Sequence, residues 1–330
     1  MLIYCFPVLR IMRFIIFIFF ISALQACKVS KPQTMNHSDI HKIVVFGDGL
    51  SDMGRWGKIT DFRYPPAEKG FFESRWTNGK VWVEHFAEDL KLPLSLENNY
   101  AMGGATTGHY NINENLRTAL KAGQEVAFEG MLAQVETHLK KHPQLDANTL
   151  FTLWAGGHDI GNYLDYGQPD LAKYPPSENY QLAIEQLIQA GAKNILVGTM
   201  PDMGYTPVYF GTKHQSEASR LCGELNEGID KIITSYQGKD VRFIKIDGAA
   251  IFAEVGMNPT KFGFTTTEAY LPLNAINFAN PLGENPIDLP NKEKGLSPDD
   301  FMNWWAVSAS ARMHKILAEK ALETFKSIVK

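Results

Sequence analysis

Apolar and polar positions follow two different periods along most of this chain. Four short runs are almost continuously apolar, as buried parallel strands are, and they cover residues 43–46, 149–155, 194–199 and 241–246. Between these runs the apolar positions recur at helical spacing, which predicts helices over residues 81–90, 128–141, 180–190, 217–236 and 307–328. Strands that alternate with helices predict an α/β fold with an open, mostly parallel sheet and helices on both faces.

The amino-terminal segment has a different pattern. Arg10 and Arg13 precede an apolar run at 14–24, which is short for a bilayer span but typical of a signal-peptide core. The small and apolar residues before Cys27 resemble the bacterial lipoprotein signal, in which that cysteine is lipidated. We therefore predict a signal peptide over 1–26, lipidation of Cys27, a polar tether over 27–41 and a single domain over 42–330. The predicted location is the bacterial cell envelope, with a lipid anchor in the outer membrane or at the periplasmic face.

Ordinary secretory cleavage near Ala26 is the alternative, and it would give a secreted protein. Composition agrees with export in either case. Only Cys222 remains in the predicted domain, so no intramolecular disulfide is available. The net charge is −4, and Lys and Arg are scattered rather than clustered, which argues against nucleic-acid binding.

Ligands of an open parallel sheet bind beyond the carboxyl ends of its strands. We therefore expect the site to be formed by loops at residues 47–54, 100–108, 156–163 and 297–314. Glycines 103, 104 and 108 lack the Gly-Lys-Ser/Thr ending of a phosphate loop, and His158 has no further ligands at metal spacing. We expect neither a metal ion nor a cofactor.

Five sequence blocks in these regions occur in a recognisable order. They are Phe-Gly-Asp-Gly-Leu-Ser-Asp at 46–52, Arg-Trp-Thr-Asn-Gly-Lys-Val-Trp at 75–82, Asn-Tyr-Ala-Met-Gly-Gly-Ala-Thr at 99–106, Trp-Ala-Gly-Gly-His-Asp at 154–159 and Pro-Asp-Met-Gly at 201–204. Together they resemble the GDSL (SGNH-type) lipase/acylhydrolase family. The resemblance implies a flavodoxin-like three-layer sandwich and ester hydrolysis by a serine nucleophile. It also implies an oxyanion hole of backbone N–H groups and an asparagine side chain, with the histidine of an Asp-x-x-His pair as the base.

The chain departs from the family pattern at most of these positions. Gly49 stands at the nucleophile, His158 at the oxyanion asparagine, and Trp305 and Ser308 at the Asp-x-x-His pair, whereas Gly104 matches in type. In a comparable triad, loss of the nucleophile or the base alone lowers kcat on the order of a million-fold. We interpret the protein as a catalytically degenerate family member that binds a lipid, glycan or protein partner in the former cleft.

A relocated active site is the competing interpretation. Ser51 and His158, with Asp159 or Asp48 nearby, could form a weak carboxylester hydrolase or lysophospholipase site. A turn or helix-cap role explains Ser51 without catalysis, and Asp159 more simply braces its loop. An aromatic-rich set near the predicted mouth could stack on a sugar or an acyl chain, although filling of the vacated volume is the simpler explanation. Its members are Trp56, Phe71, Phe72, Trp76, Trp304 and Trp305.

Overall fold

A four-stranded parallel sheet forms the centre of the computed structural model, which describes residues 39–123, 125–283 and 288–329. Its strands lie side by side in the order β1 (Lys42–Gly47), β2 (Thr149–Trp154), β3 (Asn194–Gly198) and β4 (Arg242–Ile246). A parallel bridge between Val45 and Asn99 adds one more position outside β1. When the bridge at Asn99 is counted as the second of five strands along the chain, the order across the sheet is 2-1-3-4-5, which is the flavodoxin-like order. The predicted fold class is confirmed.

Helices cover both faces of this sheet. They are α1 (Arg55–Thr60), α2 (Trp82–Leu90), α3 (Met131–Lys141), α4 (Gly157–Tyr166), α5 (Pro176–Gln189), α6 (Gln215–Ser235), α7 (Gly248–Met257), α8 (Pro290–Glu293) and α9 (Ala311–Ile328). Helices α2 and α9 pack against each other, and α3, α5 and α6 pack side by side. Two helical layers with the sheet between them make the three-layer sandwich.

Two segments differ from the sequence-based prediction. Residues 156–163 were expected as a loop, but helix α4 begins at Gly157 directly after β2. The last helix was expected from residue 307, but it begins at Ala311 because the Ser310 hydroxyl accepts a hydrogen bond from the Met313 N–H and caps it. Before that cap, the chain forms a small second sheet of β5 (Thr266–Ala269), β6 (Phe301–Trp305) and β7 (Ser308–Ala309).

The carboxyl end of β1 is fixed by a side chain from α3. The Gln134 amide accepts a hydrogen bond from the Gly47 N–H at 2.8 Å and donates one to the Gly47 carbonyl at 3.0 Å. Gly47 has a φ of +153°, and a Cβ there would lie 2.2 Å from the Trp154 carbonyl oxygen. Only glycine fits where β1 approaches β2 so closely, and the loop that follows starts from a fixed point.

A buried ion pair holds the segment between α1 and α2. The Arg75 guanidinium donates from Nε and Nη2 to both Glu84 carboxylate oxygens at 2.7 Å, and both side chains are 8% exposed. Glu84 also accepts a hydrogen bond from the Val81 N–H. The segment contains non-glycine residues with positive φ, among them Glu73 and Ser74, so its backbone is strained and needs this support.

The predicted signal peptide over 1–26, the lipidation site Cys27 and most of the predicted tether lie outside the described residues. Among the helices that the structure describes, none combines the length and the apolar character needed to cross a bilayer. The predicted domain boundaries stay predictions.

We expect Glu84→Gln to lower the free energy of unfolding by about 3–5 kcal/mol, because it leaves the buried Arg75 without its counter-charge. The matched control is Glu73→Gln, which removes the second carboxylate partner of Arg75. The Glu73 side chain is 62% exposed, so this variant should change the stability by less than about 1 kcal/mol. Urea unfolding of both variants measures the difference, and equal effects would show that the buried pair does not support the segment.

Candidate functional site

The carboxyl ends of β1 and β2 bring four chain segments together. Gly49 lies in the turn after β1, Gly104 in the segment after the bridge at Asn99, and His158 in the first turn of α4. Trp305 ends β6, and it faces Ser308 across the antiparallel pair of β6 and β7. The residues at the family site positions therefore fall into two groups. Gly49, Gly104 and His158 follow the carboxyl ends of strands in the large sheet, and Trp305 and Ser308 lie in the small second sheet.

The space over Gly49 is occupied by the indole of Trp76. A Cβ built on Gly49 would lie 3.2 Å from Cδ1 of Trp76 and 3.6 Å from the Cα of Gly103. The same ring lies flat against Gly103, where a Cβ would come within 1.8 Å of the indole Nε1. A side chain at position 49 would therefore point into an aromatic ring, and glycine at 49 and 103 lets that ring approach the backbone.

The backbone N–H of Gly104 is bonded to His158. Its partner is the His158 Nε2 at 3.2 Å, so this nitrogen is an acceptor and the neutral imidazole carries its proton on Nδ1. Burial lowers the pKa of His158 to about 4, which agrees with a neutral ring. Gly104 has a φ of +91°, and the amides of Asn111 and Asn113 close over it. The N–H that the resemblance assigns to the oxyanion hole is thus satisfied within the protein.

Trp305 is part of a buried aromatic cluster that fills the rest of this region. It stacks on Trp76 with ring centroids 6.0 Å apart, and its Nε1 donates to the Leu273 carbonyl at 3.1 Å. Phe71 meets Trp76, Trp305 and Trp304 edge to face. The members of the aromatic cluster are Trp56, Tyr64, Phe71, Trp76, Trp304 and Trp305, and all are at most 9% exposed. Phe72, from the same predicted set, is instead partly exposed.

Ser51 and His158, the alternative pair, are both described by the structure and are not hydrogen-bonded to each other. Ser51 is fully buried, and its hydroxyl accepts a hydrogen bond from the Trp82 indole at 3.0 Å. Asp159 accepts from the backbone N–H and the hydroxyl of Thr107, both at 2.8 Å, which is the predicted bracing role. Ser51 and Asp159 therefore each have a structural partner, and His158 is bonded to Gly104.

Asp52 is an important residue that the sequence reasoning missed. Its carboxylate accepts hydrogen bonds from the N–H groups of Gly54, Arg55 and Gly103, at 2.9, 2.7 and 2.8 Å. It therefore joins the turn after β1 to the segment that carries Gly104. The Asp-x-Gly spacing at 52–54 is a sequence signal for the local half of this arrangement, whereas the bond to Gly103 has no local signal.

Three buried carboxyl groups lie close to the turn. Burial, helped by the neighbouring Asp159 and Asp52 and opposed by the hydrogen bond from the Leu50 N–H, raises the pKa of Asp48 to about 7. Burial also raises the pKa of Asp159 to about 6, against the hydrogen bonds from Thr107. Within residues 39–123, 125–283 and 288–329, no group of three His, Cys, Asp or Glu side chains is placed to hold a metal ion.

We expect the stability contributed by Asp48 to fall as the pH rises from about 4 to about 7. In this range the unfolded side chain, with its ordinary pKa of 3.8, has lost the proton that the folded side chain keeps up to about pH 7. Asp48→Asn removes this dependence and keeps an acceptor for the Leu50 N–H. The variant should gain stability relative to the parent through this range, by up to about 4 kcal/mol above pH 7.

Urea unfolding at a series of pH values measures this difference. His158 has the opposite effect, because its lowered pKa adds stability as the pH rises through about 4 to 6.5, but it is present in both proteins and cancels. The matched control is Asp89→Asn at an exposed aspartate of α2. A constant difference between Asp48→Asn and the parent from pH 4 to 8 would contradict the expectation.

Comparison with known proteins identifies relatives of this chain. The chain is 28% identical over 299 residues to the thermolabile hemolysin of Vibrio parahaemolyticus, covering 89% of this chain and 66% of the relative. It is 29% identical over 233 residues to the phosphatidylcholine-sterol acyltransferase of Aeromonas hydrophila, covering 69% and 64%. The chain thus spans slightly less than two thirds of the length of these two relatives.

Solved structures resemble the chain at lower sequence identity. A member of the lipolytic protein G-D-S-L family from Veillonella parvula matches with a TM-score of 0.42 and 15% identity, covering 87% of this chain and 98% of that one. The model of the GDSL-like lipase/acylhydrolase family matches residues 43–321. Because this match extends over most of the chain, the protein belongs to the GDSL-like lipase/acylhydrolase family.

Proposed function

We propose that this protein is a catalytically inactive member of its family that acts by binding. It is exported, anchored to the bacterial envelope through a lipid on Cys27, and takes a lipid, glycan or protein partner. The observation that carries the proposal is the hydrogen bond from the Gly104 N–H to the His158 Nε2. An oxyanion needs that N–H free, and here a side chain of the protein itself accepts it.

The surroundings of Gly49 support the same conclusion. Acyl transfer needs a nucleophile, a base that takes its proton, and donors for the developing oxyanion. Gly49 offers no nucleophilic atom, and Trp76 lies over it. Trp305 and Ser308 supply neither a carboxylate nor an imidazole at the positions of the Asp-x-x-His pair. The nucleophile, the base and the free oxyanion donor are all missing, so restoring one of them alone would not restore turnover.

The partner would meet the rim of the former cleft rather than its interior, because the aromatic cluster fills the interior. Leu273, Phe278 and Val307 lie around Trp305, and each is more than 40% exposed. Exposed apolar side chains grouped at one place are typical of a binding surface. Among the three partner classes, the name of the Aeromonas relative, phosphatidylcholine-sterol acyltransferase, favours a lipid.

We expect the purified protein to remain unlabelled by a fluorophosphonate probe and to hydrolyse no chromogenic short-chain ester above the buffer rate. The probe reacts with activated serines, and Ser51 is buried with its hydroxyl bonded to Trp82. Mass spectrometry of the probe-treated protein and a spectrophotometric ester assay measure the two outcomes. Labelling of Ser51 that disappears in Ser51→Ala would overturn the proposal and favour the relocated hydrolase.

Restoring the family residues tests the positions themselves. The fourfold variant Gly49→Ser, His158→Asn, Trp305→Asp and Ser308→His supplies the missing groups, but Trp76 still lies 3.2 Å from the new Cβ. Adding Trp76→Ala to the fourfold variant makes room at this turn. We expect the fivefold variant to hydrolyse the ester at least about tenfold faster than the fourfold one, as a gain of correct geometry would give.

The matched control for the fivefold variant carries Gly49→Ala in place of Gly49→Ser. It has nearly the same volume and lacks the nucleophile, so it should stay at the buffer rate. Circular dichroism of each variant establishes that it is folded. If the folded fivefold variant shows no activity above this control, the assignment of these positions to the family site is wrong.

A further inference from the structure

All four parallel strands of the sheet start at one edge, which we call the amino edge. Lys42 lies opposite Thr149, Leu150 lies opposite Asn194, and Asn194 lies opposite Arg242. The chain enters the sheet here at Lys42, and the residues around Gly49 lie beyond the opposite ends of the strands. Whatever precedes residue 42 is therefore attached at the edge that points away from the former active site.

Three lysines gather next to the point where the chain enters the sheet. Helix α3 runs antiparallel to β1, so its last residues Lys140 and Lys141 return to the amino edge, where both are exposed. Lys42 and Lys141 both lower the pKa of His138, which places them close to the same ring. Among the described residues, no carboxylate lies within 4.0 Å of the ammonium groups of these three lysines.

Two carboxylates at the amino edge have a basic side chain beside them. Asp146, before β2, lies 2.9 Å from the His41 imidazole nitrogen, and Asp240, before β4, forms an ion pair with Lys193 at 2.7 Å. Lys42 and Lys141 act on the His138 ring together with His142, and no carboxylate of the described residues is among the groups that act on it, so this corner of the edge is locally positive. A lysine at a helix end is common because it complements the helix dipole, but this effect does not account for Lys42 on a strand.

The sequence before Lys42 carries further positive charge. Lys28 and Lys31 lie within four residues after Cys27, the lipidation site of the proposed function, on which this inference rests. Residues 28–41 can span at most about 50 Å when fully extended, so a lipid on Cys27 limits how far the amino edge can move from the bilayer. Charges held within that distance meet the surface potential of anionic lipids whenever they approach it.

We propose that the amino edge, through Lys42, Lys140 and Lys141, docks on the anionic headgroup surface of the membrane that holds the lipid anchor. Each lysine near such a surface strengthens attachment by about fivefold. Docking directs the ends of β1 and β2, and with them the rim around Trp305, away from the bilayer. The lipid favoured as the partner of the former cleft would then reach the rim from the aqueous side and could not enter it directly from the membrane beneath the protein.

Lysine acetylation by an N-hydroxysuccinimide ester, followed by peptide mass spectrometry, tests the docking. The full chain is reconstituted in vesicles of phosphatidylcholine or of an equimolar mixture of phosphatidylcholine and phosphatidylglycerol. We expect Lys42, Lys140 and Lys141 to react several-fold more slowly on the anionic vesicles, and added salt to remove the protection. Equal reaction of these lysines on both kinds of vesicle would overturn the proposal.

Charge reversal gives the matched comparison, with Lys42 as the reporter. Lys140→Glu with Lys141→Glu should lower the equilibrium constant for docking at least about 25-fold and so abolish the protection of Lys42. Lys213→Glu with Lys292→Glu changes the net charge equally at two exposed positions away from the amino edge, and it should leave that protection unchanged. Protection lost equally in both variants would show attraction by net charge alone and would overturn the proposal.

The same samples separate this proposal from the lipid anchor. The mass of the amino-terminal peptide reports whether Cys27 is acylated, and an unmodified Cys27 would refute the anchor. Protein with an unmodified Cys27 can be added from solution to preformed anionic vesicles, and the protection of Lys42, Lys140 and Lys141 can be measured there without an anchor. The docking surface and the anchor can therefore fail independently of each other.

Discussion

The carboxylate of Asp52 is the interaction on which the rest of the site depends. It is completely buried, and such a charge is tolerated in a protein interior only when hydrogen bonds compensate for the lost water. Three backbone N–H groups provide this compensation, two within its own turn and one from Gly103. Separating the two loops would remove the hydrogen bond from Gly103, one of the three that the buried carboxylate accepts. The relative position of Gly49 and Gly104 follows from this constraint, whatever chemistry the site performs.

A scaffold fixed in this way can lose its reactive groups without losing its fold. An active site keeps polar groups unsatisfied and ready for substrate, which lowers stability. In this chain the corresponding positions carry residues that increase packing. Trp305 and Trp76 bury large ring surfaces against each other, and an aromatic side chain buries about 150–250 Å². His158 satisfies the Gly104 N–H, whereas the indole nitrogens of Trp76 and Trp304 and the Tyr64 hydroxyl in the same region are buried without a hydrogen-bond partner among the described residues.

The fold was more readily predicted from the sequence than the site was. Buried parallel strands give continuous apolar runs, and β1 to β4 lie where those runs are. Strand β6 was missed because Asn303 interrupts its apolar residues, and because the short strands of the small second sheet follow segments without regular periodicity. Helix α4 was missed because Gly156 and Gly157 at its start favour a loop in any local reading.

The missing residues at the site could be recognised from the blocks, because each block is contiguous in sequence. The side chains that fill the site in their place could not be recognised, because they come from residues distant in the sequence. Trp76 covers Gly49 across an intervening helix and a strained segment, and no local pattern connects the two positions. The same holds for Ser51 and Trp82, whose hydrogen bond depends on how α2 packs on the sheet.

The amide of Gln134 has a consequence for the helical layer as a whole. It pairs with both the N–H and the carbonyl of Gly47, so a helix side chain imitates the peptide group of one more neighbouring strand. Apolar packing alone lets a helix slide by small distances over a sheet, since one methyl group can replace another. A two-point amide contact permits only one alignment. The contact therefore fixes the position of helix α3 along β1, as backbone hydrogen bonds fix the register of one strand against the next.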